Sequence, residues 1–177
     1  MSKFRVRELK STDTAALLAF EIENREWFES HIDARDPAFY SLQGVAHHIE
    51  HYLLDFARGA WHPLVIEDDS GKIVGRANLK SINSPARSAE VGYRVGQRVC
   101  GQGLATLALQ QLIHEAQSRW QLTQLVAYVY PENAGSKKVL ERCGFLLEQP
   151  ADHDQTAGEC RFVRPIHCRS ELARDGR

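Results

Sequence analysis

The chain has 177 residues, 43% hydrophobic and 25% charged, which suits one globular domain with a real core and leaves too little length for two comfortable ones. Its formal charge of −1 supplies no global positive field, which argues against nucleic-acid and anionic-membrane partners. No apolar run suits a membrane span, MSKFRVREL lacks a signal peptide's apolar stretch, and Cys100, Cys143, Cys160 and Cys168 show no CxxC or zinc-like spacing, so a cytoplasmic protein with free thiols is expected.

FRVREL, residues 4–9, alternates as an edge or early strand does. Ser11, Thr12 and Asp13 offer N-cap chemistry before a helix over ALLAFEIENREWF. A second helix is predicted over QGVAHHIEHYLLDFARG, with Val45, Ile49, Tyr52, Leu53 and Phe56 on one side and Gly59 as its stop. Two strands follow, WHPLVIED and KIVGRANL, joined by the turn residues Asp69, Ser70 and Gly71. The next strand, AEVGYRV, leads through GQRVCGQG into a long helix, LATLALQQLIHEAQSRW. There Leu104, Ala108, Leu112, Ala116 and Trp120 recur every four residues, flanked by Ala105, Leu109 and Ile113. Then come the strand QLVAYVY, a short helix AGSKKVLERC ended by Gly144, the strand FLLE, and ECRFVRPI as a final strand pairing with it. The order predicts an α+β (mixed α/β) domain over residues 1–166, without the strict alternation of a doubly wound nucleotide fold. The polar tail, residues 167–177, is expected to be loosely attached, and its deletion to change little.

The most informative unit is EVGYRVGQRVCGQGLATLALQQL, a strand running through glycines into a helix. A helix start presents unpaired N–H groups and the positive dipole end, and Gly101 and Gly103 let an anion approach that backbone. A phosphate site and a plain tight turn both fit this pattern. Neither GxxxxGK[ST] nor GxGxxG spacing is present, which sets aside the P-loop and the Rossmann site.

The segment resembles the acetyl-CoA signature of the GNAT superfamily of N-acetyltransferases, Q/R-x-x-G-x-G/A after the fourth strand. Arg98-x-x-Gly101-x-Gly103 fits it literally. Counting from strand and helix gives Cys100-x-x-Gly103-x-Ala105, the preferred frame because it keeps the family's usual distance from Glu90 and Val95. There Cys100 departs from the usual Gln or Arg. No base stands by to lower its thiol pKa, so direct transfer is expected rather than a thiol nucleophile. The resemblance implies that Arg98, Cys100, Gly101, Gln102, Gly103, Leu104, Ala105 and Thr106 hold the cofactor's phosphates. It also implies that Tyr93, Arg94 and Val95 lend backbone groups to the pantetheine and to the charge growing on the thioester oxygen.

A second motif supports the first: YPENAGSKKVLERCGF is similar to the family's N-x-x-S/A…GF segment. Asn133 is expected to contact the pantetheine arm, to N-cap the helix, or both. The tyrosine many family members use to protonate the CoA thiolate is absent, since Leu140 stands seven residues after Asn133. Ser136 sits where the ribosomal-protein alanine N-acetyltransferase branch carries a serine in that role, and it also reads as an ordinary helix-surface serine. GYRVGQRVCGQGLA, YPENAGSKKVLERCGF and ENREWF look most like that branch, and the resemblance spans roughly residues 4–163.

The resemblance implies a GNAT fold: a twisted, mostly antiparallel sheet of six to seven strands splayed at strands four and five, flanked by about four helices. The expected substrates are acetyl-CoA and a primary amine, foremost the N-terminal α-amine of a peptide or ribosomal protein. An α-amine, with a reference pKa of ~7.7–8.0, needs only a modest base, whereas lysine at ~10.4 is mostly charged. Glu90 is the candidate base, directly or through a water, and it also reads as an ion-pair partner of Arg87 or Arg94. Trp27, Phe28, His31, Tyr40 and Trp61 could line the acceptor side, though each equally suits core or surface packing. His47, His48 and His51 with Glu50 lack HExxH order and read as a solvated face, so no metal is expected. Two rival readings stay open: a small-amine acetyltransferase for polyamines, aminoglycosides or amino acids, and a non-catalytic CoA-binding module. The chain is expected to be a monomer or homodimer.

Overall fold

The structure, a computed structural model, describes residues 3–148 and 158–167. The tail beyond His167 lies outside the described residues. The chain divides into two compact units interleaved in sequence: Met1–Asn78 with Tyr93–Leu104, and Leu79–Gly92 with Ala105–Arg177.

The first unit opens on β1 (Phe4–Glu8), antiparallel to β2 (His62–Asp68) from Phe4 opposite Asp68 to Glu8 opposite Leu64. Beyond β1, a 3₁₀ turn (Ser11–Asp13) precedes α1 (Thr14–Glu23). Asp13 does not cap α1 with its side chain. Its carboxylate turns back to accept from the Lys10 N–H at 2.8 Å and from both Arg7 Nη atoms at 2.9 Å, fastening strand to helix.

The single helix predicted over ALLAFEIENREWF is broken in two. Asn24 sits at φ −105°, ψ 9° between α1 and α2 (Arg25–Glu29). Its buried amide donates to the Phe20 carbonyl at 2.9 Å, a local bond of the kind by which Asn competes with helix continuation. A short 3₁₀ turn (Pro37–Phe39), not anticipated, leads into α3 (Leu42–Ala57), whose Ser41 cap accepts from the Gly44 N–H at 3.0 Å. Val45 and Ile49 are buried as expected, while Tyr52, Leu53 and Phe56 are half-buried. Leu9, Leu17, Phe20, Phe28, Val45, Ile49, Val65 and Ile73 form this unit's core. Each such aliphatic or aromatic side chain taken fully from water contributes about 1.5–3 kcal/mol.

β3 (Ile73–Asn83) follows the predicted turn, where Asp68 Oδ1 accepts from the Ser70 and Lys72 N–H groups. It runs four residues beyond the predicted KIVGRANL segment and, like β4 (Ser88–Val95), passes from one unit to the other. The second unit contains α4 (Leu104–Ser118, its first residue in the first unit), β5 (Gln124–Val129), α5 (Ala134–Arg142), β6 (Leu146–Leu147) and β7 (Cys160–Pro165). On α4 the residues Leu104, Ala108, Leu112 and Ala116 are buried at their four-residue spacing, and Trp120 falls past the helix end.

The sheet has seven strands in the order β1-β2-β3-β4-β5-β7-β6. β7 does pair with β6, as the sequence predicts. It also lies along the whole of β5, a pairing the sequence did not suggest, from Gln124 opposite Pro165 to Val129 opposite Cys160. β4 and β5 are parallel, and their register covers only Ser88 to Glu90 against Gln124 to Val126 before the strands splay. Among the described residues five α-helices accompany the sheet, one more than expected because of the break at Asn24.

Candidate active site

In the first unit, β4 ends in Tyr93, Arg94 and Val95, all half-buried, and the loop begins at buried Gly96, whose N–H donates to the Val74 carbonyl at 2.9 Å. A 3₁₀ turn (Gln97–Val99) follows, then Gly101 at φ 80° and Gly103 at φ 79°. An L side chain is strained at such φ values, and a Cβ at either position would meet no atom within 4 Å. The backbone entering α4 at Leu104, Ala105 and Thr106 is thus approached across two glycines, with Gln102 exposed between them.

Asn24 also governs this loop: its Oδ1 accepts from the Gln97 N–H at 2.9 Å. Replacing Asn24 with Ala strands the Gln97 donor, while the Phe20 carbonyl keeps the backbone N–H of residue 24 at 3.1 Å; a stability loss of about 1–3 kcal/mol is expected, with a raised KM for a ligand held by the loop. Chemical denaturation and steady-state kinetics check both effects. Arg98, 84% exposed, reaches Glu23 at 3.3 Å. The Cys100 thiol points at the Gly96 carbonyl, 3.4 Å away, and burial pushes its pKa up, which disfavours the thiolate a nucleophile needs.

In the second unit, Glu90 is one-third exposed on β4, and its ionic partner is Lys80 on β3, Nζ to Oε1 3.9 Å. Neither arginine considered from the sequence takes that place: Arg87 donates to the Gln121 carbonyl, and Arg94 turns to Glu21. The Lys80 stem passes over Gly92, where a Cβ would stand 2.4 Å from Lys80 Cε. Gly92 therefore serves close approach rather than an unusual φ. On α5, Asn133 is the N-cap and its Oδ1 accepts from the Ser136 N–H at 3.1 Å, so these two predicted residues are brought together. Leu140, in place of the family's tyrosine, is fully buried and serves packing.

The proposed acceptor-side aromatics divide. Phe28 is buried core, Trp27 packs on exposed His31 with ring centroids 4.5 Å apart, Tyr40 packs on Phe39 beneath Arg25, and Trp61 donates to Asn78. Of the histidines, His47 is exposed, His51 lies 3.5 Å from Asp55, and His48 faces inward between Phe39 and Tyr52. Burial, then Arg76, Arg35 and Arg94, lowers His48 to about 3, so it is neutral and accepts from Arg76 Nη2 at 2.8 Å. Among the described residues no group of three or more His, Cys, Asp or Glu could hold a metal ion.

A feature the sequence reading missed lies beside it. Glu21, 1% exposed, is faced by Arg76 at 2.9 Å, Arg94 at 3.6 Å and Arg35 at 3.8 Å. The signal was available: Glu21 follows Leu17 by one helical turn, so a carboxylate stands in phase with the apolar stripe and must find cations.

A glycine-opened helix start follows a strand that splays from its parallel neighbour, the arrangement that the resemblance to coenzyme A-dependent acyltransferases implied. The acetyltransferase (GNAT) domain family matches residues 3–146, and the chain belongs to that family. It is an acetyl-CoA-dependent N-acetyltransferase. A probable N-acetyltransferase, YjcK of Bacillus subtilis, is 28% identical over 81% of this chain and 80% of its own length. Among solved structures, the ribosomal-protein-S5-alanine acetyltransferase of Vibrio fischeri superposes with a TM-score of 0.84 at 22% identity, covering 93% of this chain and 94% of that one. The ribosomal L7/L12 alpha-N-protein acetyltransferase RimL, in complex with coenzyme A, gives 0.81 at 20% identity, covering 94% and 96%. The residues present suit acetyl-CoA: the unobstructed glycines at 101 and 103 admit an anion to the amides opening α4. Among the described residues no helix is long and apolar enough to cross a membrane.

Proposed function

We propose that this enzyme acetylates the N-terminal α-amine of a protein or peptide by direct transfer in the cytoplasm. The supporting observation is a likeness running the length of the chain to two enzymes whose names state ribosomal-protein substrates. Acetyl-CoA supplies the activated acetyl group. The amides from Gly101 to Thr106, with Arg98 and Cys100 at the loop's start, face its phosphates, and Asn133 the pantetheine. The backbone of Tyr93 to Val95 donates to the oxygen on which charge grows. Glu90, open to solvent on one side, takes the proton from the amine directly or through a water. Ser136, on the first turn of α5, or a water donates a proton to the departing thiolate, and the serine regains its own from solvent.

A thiol-release assay tests this reading, comparing peptides beginning Ala or Ser with spermidine, an aminoglycoside and free amino acids. Turnover concentrated on the peptides is expected. Turnover confined to the small amines would move the enzyme to the small-molecule alternative. Bound acetyl-CoA with no turnover on any amine would make the chain a non-catalytic binding module.

A further inference from the structure

The buried cluster in the first unit is out of charge balance. Arg35, Arg76 and Arg94 surround the single carboxylate of Glu21, and neutral His48 adds nothing, which leaves a formal excess of two positive charges. Arg76 is firmly held: it is 4% exposed and hydrogen-bonded at both Nη atoms, to Glu21 and to His48. The other two lack such bonds to Glu21. Their 3.6 and 3.8 Å contacts with Glu21 exceed hydrogen-bond length, and buried Arg35 Nε finds no acceptor among the described residues. Burial, with Arg35 and Arg76 opposing Glu21, brings Arg94 down to about 10. Two nearby acids are engaged elsewhere, Glu29 with Arg25 at 3.0 Å and Asp36 with the Ala38 N–H at 2.9 Å.

Both guanidiniums are also held in place. Arg94 lies over the Phe28 ring at 4.8 Å and Arg35 over Phe39 at 4.5 Å, and each keeps about a quarter of its side chain exposed, at 26% and 25%. Two pre-oriented planar guanidiniums, each partly exposed and short of acceptors, suit a carboxylate and repel a polyamine. From this we propose that Arg35 and Arg94 together form a recognition site for a carboxylate group drawn from solution. The source is either an acidic side chain near the acceptor's N-terminus or a free carboxylate. The acceptor source rests on the peptide reading above, and it is favoured by Arg94 lying between Tyr93 and Val95. An acidic residue in the first few positions of the acceptor is then the preferred substrate feature.

Steady-state kinetics with matched peptides carrying Asp or Asn at positions two to four tests the acceptor source. A charge-assisted hydrogen bond contributes roughly 1.5–3 kcal/mol, so the KM for the best Asp peptide should be at least about tenfold below its Asn partner at similar kcat. In Arg35→Gln that ratio should fall to near one, with acetyl-CoA KM and the neutral peptide's kinetics unchanged. Arg35→Lys, which keeps the charge but not the fork, is the variant to use should the first fail to fold, and it should lose most of the preference. Titration calorimetry with succinate and with an N-acetylated Asp peptide needs no turnover. Binding of either to the wild type and its loss in Arg35→Lys supports the site. Succinate binding without an Asp preference assigns it to a free carboxylate. No binding of either ligand, together with equal KM values for Asp and Asn peptides, overturns the proposal while leaving peptide acetylation standing. No turnover with any amine sinks the peptide reading, and the titration still decides the site.

Discussion

Glu90→Gln should lower kcat for peptide acetylation by about 10²–10⁴-fold while acetyl-CoA binding stays intact, since general-base catalysis contributes on that scale. Glutamine keeps the shape of glutamate but cannot hold the amine's proton. The fold should barely notice, because Glu90 and Lys80 are each about one-third exposed at 3.9 Å, and ion pairs of that kind contribute little to stability. The loss should shrink as pH rises, because more of the amine then arrives already deprotonated. Single-turnover rates across pH 6–9 with a coenzyme A binding isotherm separate these effects. A kcat within threefold of wild type would remove Glu90 from the chemistry. Ser136→Ala should cost less, since water can protonate a thiolate.

Glu21→Gln should destabilise the protein by about 3–5 kcal/mol, the usual cost of removing one partner from a buried ion pair. The glutamine occupies the same space but leaves Arg76, Arg94 and Arg35 in mutual repulsion with no compensating charge. For a chain of this size the melting temperature should fall by roughly 10 °C or more. Pairing the change with Arg76→Met should restore part of the loss, because the most deeply buried cation leaves with its counter-ion. Urea denaturation of the single and double variants gives both numbers. A loss below about 1 kcal/mol would mean that hydration alone holds the three cations and that the Glu21 charge is dispensable.

What could be read from the chain ahead of its structure was local. Period-four burial on α4, the Asp68–Gly71 turn and the Asn133 cap follow from side-chain chemistry within a few residues, and each was legible. Long-range partners were not. Lys80 lies ten residues from Glu90, and only the path of β3 beside β4 and the missing Cβ of Gly92 bring them close. Asn24 reads as one more helical residue until its second bond, to Gln97 seventy-three positions away, is known. The Glu21 cluster gathers residues from α1, β3, β4 and the segment after α2, so no window of sequence contains it.

The two ends of the strand order have a consequence for behaviour at high concentration. An outer strand with free peptide groups is a template on which another copy can add and aggregate. One rim here is β1, five residues carrying Arg5, Arg7 and Glu8, and a newcomer aligning there would have to accommodate fixed charges. At the opposite rim, among the described residues, β6 offers only Leu146 and Leu147, both apolar and exposed but too short a run to seed a stable pairing. Brevity at one margin and charge at the other should keep concentrated solutions clear. Lengthening the leucine margin with apolar residues is the change that would cloud them.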